Sequence, residues 1–260
     1  MIDISVVIPY YNESPTISQT LNLISNQTFK PKEVIFVNSS STDDSCKIID
    51  MWIDNQSDNE IIKYFNIVSN SNTPSSSKNI GIKKSNSDWI AFMDCGLIFG
   101  KDWLKDLVFL LKKNNFKKNI VSGVCQLRGY SSFDMCAVAH TYGVGTNRIC
   151  IPGSLVNREV FNITGVFLEN MRASYDRAWQ MQTKKNNIQR VTPSQSNVSY
   201  IGINFSGSVN NLIRKVIMYS RPAVRVEGYH TPFIYIIFVI LIISLFFYSS
   251  FSRSEEHTSE

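Results

Sequence analysis

Ile4 to Ser14 reads ISVVIPYYNES, an apolar run that breaks at Pro9 into tyrosines and then into small polar and acidic residues. The same pattern returns as EVIFVNSSSTDDS over Glu33 to Ser45 and as WIAFMDCG over Trp89 to Gly96. Short apolar runs bounded by turn residues read as strands buried on both faces. In an open α/β sheet the ligand crevice lies beyond the carboxyl ends of the strands. Tyr10 to Glu13, Asn38 to Asp43 and Asp94 to Gly96 are therefore expected to converge on one cleft.

Between these runs the apolar spacing is helical. Ser14 can cap a helix with Pro15 in its first turn and Ile17, Leu21 and Ile24 facing inward. The STDD turn, capped by Asp43 or Thr42, opens a helix carrying Ile48, Ile49 and Trp52. A third strand is expected near Ile61 to Asn66, a helix over Ser76 to Lys84, and a fourth strand over Trp89 to Met93. Leu104, Leu107, Val108 and Leu111 then fall at i, i+3, i+4 and i+7 of a helix starting near Asp102, and Ile120 to Cys125 returns as a strand. This βαβαβα order predicts a mostly parallel, Rossmann-like α/β sheet flanked by helices. From Gln126 to Ile151 the sequence is rich in Gly, Tyr and Ser and reads as irregular, which is where the acceptor side is expected. A short strand and turn at Gly153 to Arg158, a helix over Ser174 to Lys184 and a strand near Asn187 to Val191 complete the domain.

The 260 residues, 43% hydrophobic and 18% charged, suit one α/β domain over residues 1–220 with one further element. That element is Phe233 to Phe251, nineteen uncharged positions and long enough to cross a bilayer as a helix. Residues 221–232 then form a juxtamembrane linker. The amphipathic stretch from Ser208 to Tyr219 either lies along the membrane surface or packs as a terminal helix. Arg214, Lys215, Arg221 and Arg225 precede the span, and no signal peptide precedes Met1 to Asp3, so the domain is expected at the cytoplasmic face of the cell membrane, single-pass or as a truncated multi-pass chain. Residues 253–260, RSEEHTSE, match the translation of a sequencing-adapter oligonucleotide, so the natural chain is expected to have been cut off near Ser252. Without that stretch, which holds one Arg and three Glu, the formal charge moves from +5 to +7. A positive domain beside a membrane fits anionic headgroups and phosphate-bearing ligands. Nucleic acid is not expected as a partner, because no basic stripe with interleaved aromatics is present. The five cysteines form no CxxC pair and read as reduced thiols.

The first turn lacks the GxGxxG of dinucleotide-binding folds and the Gly-rich phosphate loop of nucleotidyltransferases. PYYNES offers aromatic faces and polar groups suited to stacking on a base and holding its edge. VNSSSTDDS offers an amide and hydroxyls for base and ribose, although Asp43 and Asp44 also suit helix capping alone. His140 reads as a satisfied loop histidine.

Taken in order, SVVIPYYNE, the V-x-x-x-S-T-D turn, SKNIGIKKSNSDWIAFMDCG and PGSLVNREVFNITGVFLENMRASYDRAW resemble the inverting family 2 glycosyltransferases of GT-A fold, over about Ile4 to Gln182. The resemblance implies that the first two strand ends hold a nucleotide base, that an Asp-x-Asp motif holds ribose and a divalent cation (Mg or Mn) on the pyrophosphate, and that a later Asp is the base. Matched by position, the donor-binding set is Pro9, Tyr11, Glu13, Asn38, Ser39, Lys78, Asn79 and Asp94, with Lys78 offering a positive charge to phosphate. Asn38 and Ser39 stand where the family commonly has Asp-Asp, and Asp94, Cys95 and Gly96 fill the Asp-x-Asp positions, leaving Asp94 as the one metal-binding carboxylate. Tyr175 replaces the Glu of the Glu-Asp pair, and Asp176 is the implied general base. Gly153, Ser154 and Glu169 match the acceptor side.

The resulting expectation is transfer of a sugar, with inversion, from a nucleotide-diphosphate-sugar to a lipid-linked or polysaccharide acceptor at the membrane. A catalytically inactive nucleotide-sugar-binding or scaffold domain is the alternative, prompted by the missing carboxylates.

Overall fold

A computed structural model describes residues 2–56, 62–117, 119–142 and 147–203, with a few positions between 210 and 226. Its first half alternates β1 (Ile4–Tyr10), α1 (Ile17–Ser25), β2 (Glu33–Asn38), α2 (Ser45–Asp54), β3 (Lys63–Val68), α3 (Pro74–Lys84) and β4 (Trp89–Phe92). A two-residue β5 (Ile98–Phe99) and α4 (Trp103–Lys113) follow. The second half holds β6 (Ile120–Gly129), α5 (Ser132–Tyr142), β7 (Asn147–Asn157), α6 (Arg158–Thr164), α7 (Tyr175–Lys185), β8 (Arg190–Val191) and β9 (Val198–Ile203).

The strands join in the order β3-β2-β1-β4-β7-β6-β9-β5, with β8 also on β6. β1 to β4 run parallel, as the alternating pattern requires, but β7 enters antiparallel between β4 and β6. The sheet is therefore mixed but still mostly parallel, with β7 and β5 as the strands that run the other way. The segment read as irregular from Gln126 to Ile151 is corrected, because it contains the end of β6, the helix α5 and the start of β7. Gly153 to Arg158, read as a short strand and turn, is the second half of the long β7 and the start of α6.

Alternate residues of each strand enter opposite layers. Val6, Ile8, Ala91 and Met93 pack with Ile17, Leu21 and Ile24 of α1, Ile49 of α2, and Trp103, Leu104, Leu107 and Leu111 of α4. Val7, Ile90 and Phe92 face the other way, against Ile82 of α3, Phe161 of α6 and Trp179 of α7. There the rings lock together. Phe161 stacks on Trp179 with centroids 5.2 Å apart, and Phe167 meets Phe92 and Tyr175 edge-on at 5.7 and 5.6 Å. This cluster fixes the start of α7 to the end of β4.

Pro9 lies in β1 opposite Val37, in a strand with neighbours on both sides. A proline has no N–H for the ladder and is excluded from most central positions. Here the pairing with β4 ends at Phe92 and Met93, whose N–H reaches the Val7 carbonyl, so position 9 faces past the end of that ladder. The proline thus sits where β1 enters the crevice.

Among the described residues no helix is long and apolar enough to cross a membrane. The candidate span 233–251, the stretch 253–260, the juxtamembrane segment apart from Val226, most of the amphipathic stretch and the side chain of His140 lie outside the described residues.

Candidate active site

The loops after β1 and β2 are tied together by hydrogen bonds. The Asn12 N–H donates to Ser41 Oγ, the Thr42 N–H donates to Asn12 Oδ1, and the Glu13 N–H donates to Ser45 Oγ at 2.8 Å. Asp43 accepts from the Ser14 N–H at 2.9 Å and from the N–H and hydroxyl of Ser45. Burial works against its ionisation, yet these donors hold its carboxyl down at about 2. The N-cap of α2 is Asp44, without a side-chain cap bond, rather than the expected Asp43 or Thr42, and Asp43 instead ties the loop after β1 to Ser45.

Helix α3 has no apolar stripe, and its polar residues are buried because each holds another segment. Ser75 and Ser76 accept from the N–H groups of Met171 and Asn170, both at 3.1 Å. Ser77 Oγ lies 2.7 Å from Ser39 Oγ. Asn79 donates to the Phe167 carbonyl at 2.8 Å and accepts from the Phe167 N–H at 3.0 Å. Lys78 donates to Asp94 Oδ1 at 2.6 Å and to the Tyr175 hydroxyl at 3.2 Å. Buried polar groups persist only when partnered in this way. Helix α3 is thus a polar hub between the β2 end, the β4 end and the 167–175 segment.

Lys78 is fully buried. Burial would lower its pKa, but the Asp94 carboxylate and Tyr175 oxygen beside it outweigh that and raise it, so the ammonium persists. Burial pushes the Tyr175 hydroxyl up to about 12, with Asp94 and Asp176 adding to the rise and Lys78 opposing it. The Cys150 thiol is raised by its bond with Cys125, by burial, and by Asp94 and Asp176. The pKa of Glu13 rises too: burial raises it, and Asp94 and Asp43 raise it further against a hydrogen bond from the Thr16 hydroxyl.

Of the residues chosen from the sequence, the structure joins Lys78 directly to Asp94 and, through the Tyr175 hydroxyl, to the residue preceding Asp176, while Pro9 lies near the end of β1. Tyr11 is exposed at the rim, where the Arg172 guanidinium carbon stands 5.7 Å from its ring centroid. Asn38 and Ser39 are buried, and Asn38 Oδ1 accepts from the Ser41 N–H at 2.7 Å. Lys78 faces Asp94 and Tyr175 and has no accessible surface, so it does not offer its charge directly to a ligand. Asn79 has both ends of its amide on Phe167. Gly153, at φ +82, gives its carbonyl to the Trp103 indole and the Asn197 amide, and a Cβ there would meet Val198 at 2.2 Å. The Ser154 hydroxyl is held by the Ile151 carbonyl at 2.6 Å. Gly153 and Ser154 therefore shape β7, and Glu169 is exposed beyond it. Arg172 was given no role from the sequence, and Tyr175 was read only as the residue in place of the family's Glu; the signal available for Arg172 was its place in the segment that carries Asp176.

A divalent cation needs hard oxygen ligands, commonly one or two carboxylates with phosphate and water. Asp94 is the one carboxylate at the Asp-x-Asp positions and has one oxygen on Lys78, Gly96 has no side chain, and burial pushes the Cys95 thiol far above its ordinary range. Among the described residues no group of three His, Cys, Asp or Glu could hold a metal ion. This donor set does not fit a cation anchored by the protein.

Comparison with known proteins places this geometry. Residues 5–134 match the family described as Glycosyl transferase family 2. An uncharacterized glycosyltransferase of Rickettsia bellii is 34% identical over 113 residues, 44% of this chain and 16% of its own length. TarS of Staphylococcus aureus, a poly(ribitol-phosphate) beta-N-acetylglucosaminyltransferase, is 27% identical over 118 residues, 44% of this chain and 20% of its own. Its crystal structure (residues 1–349) in complex with UDP-GlcNAc superposes with a TM-score of 0.57 at 18% identity, over 78% of this chain and 59% of that one. The mannosyltransferase PcManGT of Pyrobaculum calidifontis, in complex with GDP-Man and Mn2+, gives 0.57 at 19% identity over 77% and 56%. At these identities the structures show a shared GT-A-like fold. The chain spans only 16% to 49% of the lengths of relatives such as those from Rickettsia bellii and Haemophilus influenzae.

Proposed function

We propose, from the premise that the chain belongs to glycosyl transferase family 2, that it transfers a sugar from a nucleotide-diphosphate-sugar to a polymer or lipid-linked acceptor with inversion. The observation that carries this reading is that one buried ammonium, Lys78, donates to Asp94 at 2.6 Å and to the Tyr175 hydroxyl at 3.2 Å, Tyr175 being the residue before Asp176 in the chain. That link supports one carboxylate just beyond β4 and another in the first turn of α7 acting on one substrate. A nucleotide-sugar donor is what TarS and PcManGT hold in their complexes, and a polymer acceptor is what the name of TarS specifies.

In this reading the base stacks at Tyr11, and the half-exposed Asp94 accepts a hydrogen bond from the ribose. The acceptor hydroxyl oxygen attacks the anomeric carbon as the bond to the nucleotide diphosphate breaks on the opposite face. Asp176 takes the hydroxyl proton as that oxygen gains its new bond. The helix start that carries Asp176 is held by the ring cluster of Phe161, Phe167, Tyr175 and Trp179, so the base does not have to be ordered during the reaction. The span at 233–251 would keep the domain at the cytoplasmic face of the membrane, where amphiphilic acceptors are concentrated.

Asp176→Asn tests the role of the base. Nucleoside diphosphate release should fall at least about a hundredfold while donor binding is kept. Undiminished release in that variant would overturn the assignment. The buried, internally bonded Asn38 and Ser39 favour a second reading, in which the domain binds a nucleotide-sugar without transferring it. Donor binding with no turnover in the wild-type chain would select it.

A further inference from the structure

A pyrophosphate brings negative charge that its site must balance, and an unpaired carboxylate on the floor of the site adds to the repulsion. Here that carboxylate is already balanced. Lys78 Nζ is 2.6 Å from Asp94 Oδ1, and its side chain is wholly enclosed, so the ammonium cannot swing away to leave Asp94 free for a metal. The floor is a neutral Lys78–Asp94 pair. Tyr175, where the family resemblance expects a glutamate, adds an uncharged hydroxyl at 3.2 Å from the same ammonium.

A cation stands three residues before Tyr175 in the chain. Arg172 is exposed, and its guanidinium stands over the ring of Tyr11, which follows β1, the neighbour of β4 in the sheet. Its backbone is anchored on both sides: the Asn170 and Met171 N–H groups are bound by Ser76 and Ser75, and Ala173 is buried. A guanidinium presents a planar fork of donors that matches two phosphate oxygens at once. A guanidinium held over an aromatic face can keep its edge donors available.

We propose that Arg172 clamps the donor's diphosphate above the neutral Lys78–Asp94 pair, so that this site binds a nucleoside diphosphate without a divalent cation held by the protein. The inference rests on the reading of the crevice as a nucleotide-sugar site. It makes Arg172 the residue through which phosphate charge is recognised and Lys78 a positioning residue that acts through Asp94.

Calorimetric titration of the full chain with UDP, GDP and dTDP, in EDTA and again with Mn2+ or Mg2+, tests it. One of the three should bind with a Kd that differs by less than about threefold between the two conditions. Arg172→Ala should weaken that binding about tenfold or more in both, with an unchanged melting temperature, and Arg172→Lys should fall between. Binding that requires the metal, or an Arg172→Ala variant that binds like the wild type, overturns the inference and leaves the donor site standing. Absence of binding by all three nucleotides in both conditions removes the donor reading itself and this inference with it.

Discussion

Glu33 is nearly inaccessible at the start of β2, yet it stays ionised because three donors reach it. These are the Asn86 N–H at 2.9 Å, the Ser5 hydroxyl at 2.7 Å and the Asn86 amide at 3.1 Å. Burial alone would raise its pKa, but the donors and nearby Lys32 hold it below the ordinary 4.5. A carboxylate depressed in the folded state contributes stability that is present above its unfolded pKa and is lost as pH falls through the folded one. Urea unfolding should therefore show the chain weakening as pH drops below about 4.5. Glu33→Gln should lose about 1–3 kcal/mol at neutral pH and show a shallower loss in the acid window. Parallel pH profiles for the two proteins would remove Glu33 as a source of that slope. Neither Glu33 nor Asn79 could be read correctly by residue type. Glu33 opens a strand and Asn79 lies in the middle of a helix, and both turn out to join segments of the chain, Asn79 by binding Phe167 eighty-eight positions away.

Gly81 sets the spacing between α3 and the sheet. A Cβ there would lie 2.3 Å from Val7 Cγ1, in the middle of β1. Gly81→Ala should cost about 1–3 kcal/mol by overpacking, and it should weaken nucleoside diphosphate binding because Lys78 and Asn79 move with the helix. Adding Val7→Ala should return part of both losses, read by thermal unfolding and by titration as a non-additive pair. Simple additivity would mean that the helix does not rest on Val7. At this scale β1, β2, β4, α1, α2 and α4 were legible, because their apolar periods are local. The course of β6, α5 and β7 was not. Its Gly, Tyr and Ser content reads as loop, and Ile98 and Phe99 become a strand only by pairing with Ser199 and Val198, a hundred positions later.

For the whole molecule, the span over 233–251 is a proposal about where the domain works. Full-length chain should stay with the membrane pellet after an alkaline wash, and a chain lacking residues 233–252 should appear in the supernatant. Full-length chain in the supernatant would remove the anchor and the argument for an amphiphilic acceptor. The sequence by itself determined that polar clusters end three neighbouring strands, that helices alternate with those strands, and that one acidic side chain remains at the Asp-x-Asp positions. These features depend on periods of two and 3.6 residues and on chain order, which need no knowledge of what packs where. Only the tertiary structure decided that β7 enters antiparallel, that Lys78 is sealed against Asp94, and that Arg172 meets Tyr11 at the rim. Those outcomes depend on contacts between residues far apart in the chain, where burial requires each polar group to find a partner and leaves exposed the few that do not need one.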